Sequence, residues 1–429
     1  MQISSSVVLT DVGQRMSQNE DAVQALPAVP LFVVADGTGG TAPARTCLEV
    51  LSRKADALVE LGRRVASNAD TTARLAVGRF FEGALAEAGR AVRDGAAERA
   101  AARALEADED DAPPAQAEAA TVVAATVLGR FAYIAHVGNA RAYLYRQGRL
   151  RCLTIDHTLA MQQLRRGEIS VKEFAASPYR KTLTQALGAT PSLHPDIAEV
   201  QIAPGDVFML CSDGLHRAVN DREAAKVFAA SDGDLDATAR GLVALANTAG
   251  GKDNISVALF RVDALDAVTD EATAVDVVRA LGQVFLFRDL SEAERLLVAP
   301  YFEQRTYAAG ESLCREGELG DSFFVIVSGT VDVTHGKAQL IELGPGSYAG
   351  EIALAREGPR TASLTAREDS EVLILTRARF IEIVRRRPRL GARLVMPLVA
   401  NVGDRIVDLR SRLHTIGVVI AGGDGDAAL

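Results

Sequence analysis

Four short acidic motifs hold the residues best suited to chemistry: Asn19-Glu20-Asp21, Asp36-Gly37-Thr38-Gly39-Gly40, Ser212-Asp213-Gly214 and Gly250-Gly251-Lys252-Asp253-Asn254. The last three border apolar runs, Leu31 to Ala35, Val207 to Cys211 and Ile255 to Phe260, so their aspartates are expected at strand ends, where a sheet can bring acids together. Carboxylates gathered in that way repel one another. Burying them unpaired costs several kcal/mol per ion, so such a group calls for cations. None of the motifs contains His or Cys, and oxygen-only donors select hard ions such as magnesium or manganese over zinc.

The elements that must position these acids can be read along the chain. Strand candidates are Val7 to Leu9, Leu31 to Ala35, Thr121 to Leu128, Phe131 to Val137, Ala142 to Tyr145, Val207 to Cys211 and Ile255 to Phe260. Between Ala44 and Arg103 the chain is mostly Ala, Leu, Arg and Glu, which predicts two long helices. The acidic, proline-interrupted stretch Glu106 to Glu118 reads as a flexible surface loop. From Asp263 to Ala280 the composition shifts to Ala, Val, Asp and Thr, which places a connector there. Phe285 to Val298 reads as helical, and closely spaced glycines beyond it predict short strands in a small barrel or roll. Apolar residues from Leu390 to Leu413 step mostly by four, giving one helical face that Pro397 is expected to kink or split. The domains expected are therefore residues 1–262, a linker at 263–282, residues 283–415, and a flexible tail at 416–429.

Composition narrows the function classes. A length of 429 residues suggests two or three folding units, and 48% hydrophobic with 24% charged residues is ordinary globular composition. No run approaches the roughly 20 apolar residues of a membrane span. Met1 to Ser6 lacks the basic start of a secretory signal, and the chain reads as cytoplasmic with no membrane association. A net charge of −9 disfavours nucleic-acid partners. Arg385-Arg386-Arg387-Pro388-Arg389 reads as a solvated basic turn. Cys47, Cys152, Cys211 and Cys314 are singly placed and read as reduced core thiols.

Taken in order, Arg15 with Asn19-Glu20-Asp21, Asp36-Gly37-Thr38-Gly39-Gly40, Gly138-Asn139-Ala140-Arg141, Asp156-His157-Thr158, Thr184-Gln185-Ala186-Leu187-Gly188, Ser212-Asp213-Gly214-Leu215 and Gly251-Lys252-Asp253-Asn254 resemble the metal-dependent protein serine/threonine phosphatases of type 2C. The resemblance runs through residues 1–262 and implies an α/β (α+β) phosphatase β-sandwich flanked by helices. It implies that Asp36 bridges two Mn2+ or Mg2+ ions, that the Gly37 carbonyl binds one of them, and that Asp213 and Asp253 hold the other. Glu20 and Asp21 act through bound waters, and Arg15 meets the phosphate. Paired ions suit direct hydrolysis of a phosphoester, and an arginine fork suits phosphate. Where many members carry His after the bridging Asp-Gly, this chain has Thr38. Two ligands of a frequent third ion are replaced by Asn139 and Arg217, so that site is expected to be absent, with Arg217 either filling its space or pointing to solvent. Leu159 to Pro178 matches the flap that borders the cleft.

A second resemblance rests on Phe287-Arg288-Asp289-Leu290, Gly310-Glu311, Glu316-Gly317, Gly329 and the cassette from Gly350 to Ala362. These residues are similar to the cyclic nucleotide-binding domain of catabolite activator proteins, kinases and channels, which implies a second β-roll domain with flanking helices. By position, Arg360 pairs with the cyclic phosphate, Glu351 accepts from the ribose hydroxyl, and the amides after Gly350, beginning at Glu351 and Ile352, complete the anion site. Thr361 is placed to reach a guanine, yet cAMP and cGMP both remain open. No further helical pair follows for reading DNA.

The reading is a phosphoprotein phosphatase acting on phosphoserine and phosphothreonine, opposed by cognate kinases and governed by a cyclic nucleotide, with room for a homodimer through the C-terminal helix. Its rivals are a silent phosphoprotein-docking sensor, and an active phosphatase whose roll only dimerises or docks.

Overall fold

Val-, Ala- and Phe-rich runs in the first part of the chain build two antiparallel sheets. In chain order the elements are β1 (Gln2–Asp11), β2 (Ala22–Leu26), β3 (Leu31–Thr38), α1 (Ala42–Lys54), α2 (Asp56–Ala66), α3 (Thr71–Glu106), β4 (Ala119–Leu128), β5 (Phe131–Val137), β6 (Arg141–Arg146) and β7 (Arg149–Cys152). There follow α4 (Leu159–Arg166), α5 (Val171–Ala176), β8 (Asp196–Gln201), β9 (Val207–Cys211), α6 (Asp213–Ala218), α7 (Asp221–Ala230), α8 (Leu235–Thr248) and β10 (Ile255–Ala264). One sheet has the order β1-β10-β9-β6-β7 and the other β2-β3-β4-β5-β8. The computed structural model describes residues 2–26, 29–66, 71–106, 117–264, 271–336, 338–387 and 390–401. Two units divide between Glu271 and Ala272.

Both faces of the central strands are covered, so their sequences read as apolar runs rather than alternations. In β3, Leu31, Val33 and Ala35 pack beneath the α1–α3 layer, while the opposite face carries Phe32, whose ring stacks on Phe260 of β10 at 4.2 Å. Phe260 in turn stacks on Phe208 of β9 at 5.1 Å. Burying rings of this size contributes about 1.5–3 kcal/mol each. Strand period two then puts Asp36 on the face of Phe32, between the sheets. On α3, Ala73, Val77, Phe81, Ala84, Leu85, Ala88 and Val92 are buried at spacings of three and four, a single stripe turned to the sheet. The other sheet rests on α6 to α8 through Val207, Met209 and Cys211 from β9, with Leu215, Leu242 and Ala246 opposite.

The second unit begins with α9 (Glu271–Gln283) and α10 (Glu292–Val298). One four-stranded sheet joins Glu303–Tyr307, Ser370–Thr376, Ser322–Ser328 and Tyr348–Ala349. A second joins Ser312–Cys314, Ser363–Ala366, Val331–His335 and Ala338–Leu343. Tyr307, Phe324, Ile326, Val331 and Leu364 fill the space between them. Helices α11 (Ile352–Ala355) and α12 (Arg377–Arg386) interrupt and follow the strands, and residues 390–401 are helical. A helix-flanked β-sandwich followed by a sheet-rich roll is the fold class that the sequence implied.

Several expectations are corrected. The stretch predicted as two helices forms three, because the chain breaks at Ala55 between α1 and α2. The stretch read as a linker at 263–282 carries α9, whose Val277, Val278 and Leu281 are buried; an Ala- and Val-rich segment can bury a stripe as readily as it can form a connector. Phe285 to Val298 is not one helix: residues 284–290 turn before Ser291 opens α10 with a reciprocal capping box to Glu294. Helix 390–401 continues across Pro397, with Leu394 and Leu398 buried on either side. Strands β2, β7 and β8 had no sequence signal, being short and, at Arg149-Leu150-Arg151-Cys152, half polar. All four cysteines are free thiols. Residues 107–116 of the acidic stretch, 265–270 of the expected linker, 402–413 of the expected C-terminal helical face and the expected tail at 416–429 lie outside the described residues. No helix among the described residues is long and apolar enough to cross a membrane.

Candidate functional site

Asp36 ends the apolar run of β3, opposite Thr121 of β4. Asp213 is the first residue of α6, directly after β9, and Asp253 stands just before β10. Asp21 precedes β2, on the loop from β1. The sandwich therefore gathers four carboxylates from both sheets at one end. Burial raises Asp36 well above the ordinary carboxylate range, and repulsion from Asp21, Asp213 and Asp253 raises it further. Burial likewise lifts Asp213 to about 7, with Asp253 adding to it. Asp21 rises to about 6, mainly by burial, although hydrogen bonds from Ser256 and Ser212 pull the other way.

These shifts are what an anionic cluster shows when its counter-charge is missing. Asp21 Oδ2 is buried with no hydrogen-bond partner. The donor set is all oxygen, and a Cβ on Gly37 would lie 2.6 Å from the Glu20 carbonyl and 3.2 Å from that of Gly40, so only glycine lets the backbone pack there. An orphaned carboxylate oxygen among repelling acids fits hard divalent cations.

The frame around the acids is hydrogen-bonded. Asn254, buried at 4% exposure, donates from Nδ2 to the carbonyls of Val12 and Gln18, at 2.9 Å each, and accepts from the Glu20 amide at 2.8 Å. It thus clasps the loop carrying Arg15, Glu20 and Asp21 to the strand beside Asp253. The Gly251 carbonyl accepts from the amides of Gln14 and Arg15 at 2.7 and 3.1 Å. Asn139 donates to Asp213 Oδ2 at 2.7 Å. Behind it, Arg141 grips Asp156 through two bonds of 2.7 and 2.8 Å, and His216 meets the Asn139 carbonyl at 2.9 Å. In the sequence Asn254 stands in the last acidic motif without a role of its own, and its only signal is an amide side chain beside a candidate ligand.

Arg15 is fixed by its backbone amide while its side chain is exposed. Thr38, at the end of β3, is also exposed. Arg217 does not point to solvent: its guanidinium lies 3.0 Å from Asp213 Oδ2 and 3.8 Å from Asp253 Oδ2. A fixed cation one helical turn after Asp213 therefore stands against two of the acids.

His136, His157 and Asp196 form a different cluster with ligand-like spacing. Its hydrogen bonds argue against a cation. His157 Nδ1 faces the Gly138 N–H at 3.3 Å and the Gln185 amide at 3.2 Å, so the proton stays on Nε2, the atom turned to Asp196.

In the second unit Gly350 adopts φ +82°, and a Cβ there would come within 2.6 Å of the Ser322 carbonyl and 2.8 Å of the Arg360 guanidinium. Arg360 donates to the Ser322 carbonyl at 2.7 Å and lies over the Phe324 ring at 5.0 Å. Glu351 is buried at 4% exposure, just ahead of α11. Ile352 and Thr361 are exposed, and the Thr361 carbonyl meets His335 Nδ1 at 3.1 Å. Arg360, Gly350 and Ser322 are thus brought together, with Glu351 adjacent in the chain.

Comparison with known proteins agrees with this division of the chain. The family model described as protein phosphatase 2C matches residues 13–241. The model described as a cyclic nucleotide-binding domain matches residues 304–387. Protein phosphatase PhpP of Streptococcus pneumoniae is 30% identical over 264 residues, which cover 61% of this chain and 98% of the relative. A putative type 2C phosphatase of Streptococcus pyogenes is 28% identical over 260 residues, covering 60% and 97%. Among solved structures, the serine/threonine phosphatase Stp1 of Staphylococcus aureus aligns with a TM-score of 0.51 at 22% identity, over 62% of this chain and 96% of that one, a likeness of fold.

Proposed function

This chain belongs to the protein phosphatase 2C family, and from that membership we propose that its first unit hydrolyses phosphoserine and phosphothreonine in proteins with two Mn2+ or Mg2+ ions, at a rate set by a cyclic nucleotide on its second unit. The observation that carries the catalytic half is the convergence of Asp21, Asp36, Asp213 and Asp253, with Asp21 Oδ2 orphaned among them.

Asp36 and the Gly37 carbonyl would hold one ion and Asp213 with Asp253 the other, and Glu20 and Asp21 would contribute through water. When bound, such ions supply Lewis-acid charge and a water acidified enough to attack phosphorus near neutral pH. Arg15 would bind the phosphate, its exposed side chain free to reach substrate while its backbone is tied to Gly251. Asn139 and Asn254 hold the acids in place. Water displaces the ester oxygen directly, which releases the serine or threonine hydroxyl and inorganic phosphate. Arg217 would take the room of a third ion, since a fixed guanidinium repels another cation.

The nucleotide half is supported by the domain match, by the Arg360 guanidinium standing against Gly350 and the Ser322 carbonyl, and by the burial of Glu351 next to Gly350 in the chain. The cyclic phosphate would replace the Ser322 carbonyl as the partner of Arg360, and cAMP and cGMP both fit this chemistry. The partners implied are phosphoproteins, the cognate kinase that makes them and, through exposed Met396 and Val399 on helix 390–401, a second copy of the chain. A cytoplasmic setting completes the proposal.

The catalytic test is hydrolysis of a phosphothreonine peptide with Mn2+ by the wild type and Asp36→Asn. The variant is expected to lose about a hundredfold or more in kcat; wild-type rates in the variant would sink the two-ion assignment.

A further inference from the structure

A cleft of about 490 Å³ opens beside the carboxylate cluster, between the flap and the loop of Asp253. One wall comes from the flap: Phe174 of α5 and, just after it, Arg180 and Lys181. The facing wall comes from Arg217, Lys252 and Asp253. Arg141 and Asp156 also reach the cleft but neutralise each other through their two-bond pair. Arg217 is committed to Asp213.

Arg180, Lys181 and Lys252 are different. Among the described residues none of them has a carboxylate partner, and all are exposed. Arg180 is nonetheless held in place, since its guanidinium donates to the Ala175 carbonyl at 3.2 Å and lies over the Phe174 ring at 5.5 Å. Three unpaired cations facing one cleft, in a chain of net charge −9, form a local basic patch. Mutual repulsion makes such a grouping unfavourable unless an anion settles between its members.

We propose that this cleft is a second anion subsite, which receives an acidic group close in sequence to the phosphorylated serine or threonine of the substrate. The proposal rests on the phosphatase reading above and names its substrate class: phosphoprotein segments with a carboxylate or a second phosphate near the scissile one. The turn just after the flap supplies Arg180 and Lys181 to the flanking group, and the loop of Asp253 supplies Lys252. Because these contacts are exposed, they act mainly on capture of substrate and weaken with salt.

The test uses the full chain with Mn2+ and three phosphothreonine peptides of equal length, one neutral around the phosphate, one with flanking aspartates and one with a neighbouring second phosphate. Each is measured against wild type and the double variant Arg180→Glu with Lys181→Glu, with p-nitrophenyl phosphate as a substrate too small to reach the cleft. Wild type is expected to prefer an acidic peptide over the neutral one by about fivefold to thirtyfold in kcat/KM, carried by KM and reduced at high salt. The double variant should lose that preference while its p-nitrophenyl phosphate rate stays at the wild-type value. Preference for the second phosphate alone would identify that source, and preference for both would identify a general anion site. Equal kcat/KM for all three peptides in wild type, or a preference that survives the double variant, would overturn the subsite. No hydrolysis of p-nitrophenyl phosphate by wild type would overturn the phosphatase reading and the subsite with it.

Discussion

At the scale of single residues, the centre is a balance of charge. Asp36, Asp213 and Asp21 are raised because burial and mutual repulsion disfavour their anions, and Arg217 is the protein's own partial remedy. A guanidinium 3.0 Å from Asp213 must be outcompeted when a cation arrives. Arg217→Ala should therefore bind Mn2+ more tightly, by about fivefold for a pair of this exposure. Calorimetric titration reads this directly, and unchanged or weaker affinity would show that the arginine does not oppose the ion. That Arg217 lacked ligand chemistry was legible from its side-chain type alone. Which acid it meets was not, because that depends on where α6 leaves β9.

Burial also holds His136 near pKa 4, with its Nε2 donating to the Ile155 carbonyl at 2.9 Å. Its folded value lies below the ordinary 6.5, so the folded state binds fewer protons than the unfolded one. The stability this contributes is complete above about pH 6.5 and is lost as pH falls toward about 4. His136→Gln should show a shallower decline in stability across that window than wild type, by up to about 3 kcal/mol at its lower end. Parallel curves from denaturant titrations would contradict the assignment.

At the scale of elements, the loop before β2 depends on a residue far away in sequence. Asn254 satisfies two carbonyls and one amide of that loop, none of which has another described partner. Truncation removes the partner of all three, at about 1 kcal/mol each. Asn254→Ala should thus lose about 2–4 kcal/mol in urea unfolding and weaken Mn2+ binding together; loss of stability with intact metal affinity would separate the clasp from the site. Sequence showed that the aspartates close strands because strand period and Gly-rich turns are local signals. It could not show the clasp, which joins segments that are distant in sequence and brought side by side by the β1–β10 pairing. The same distinction explains the errors. Helix formers predicted helix between Ala44 and Arg103 correctly but not the break at Ala55, and α9 was missed because its burial is set by tertiary packing rather than by composition.

At the scale of the molecule, a phosphatase unit and a sheet-rich roll share one chain. Motif order made both legible without the structure, since each set of residues is continuous with its own fold. What no local pattern carries is the coupling free energy that the proposed regulation requires. Coupling between sites of this kind typically amounts to 1–3 kcal/mol, or about 5- to 150-fold in affinity. The most direct test follows hydrolysis of p-nitrophenyl phosphate by the full chain with Mn2+ while cAMP or cGMP is titrated and its binding monitored, with Arg360→Ala alongside. The account predicts that one nucleotide changes the rate by about fivefold or more as it binds, and that Arg360→Ala keeps the basal rate but loses both binding and response. A rate that stays constant while wild type is saturated with nucleotide would contradict it.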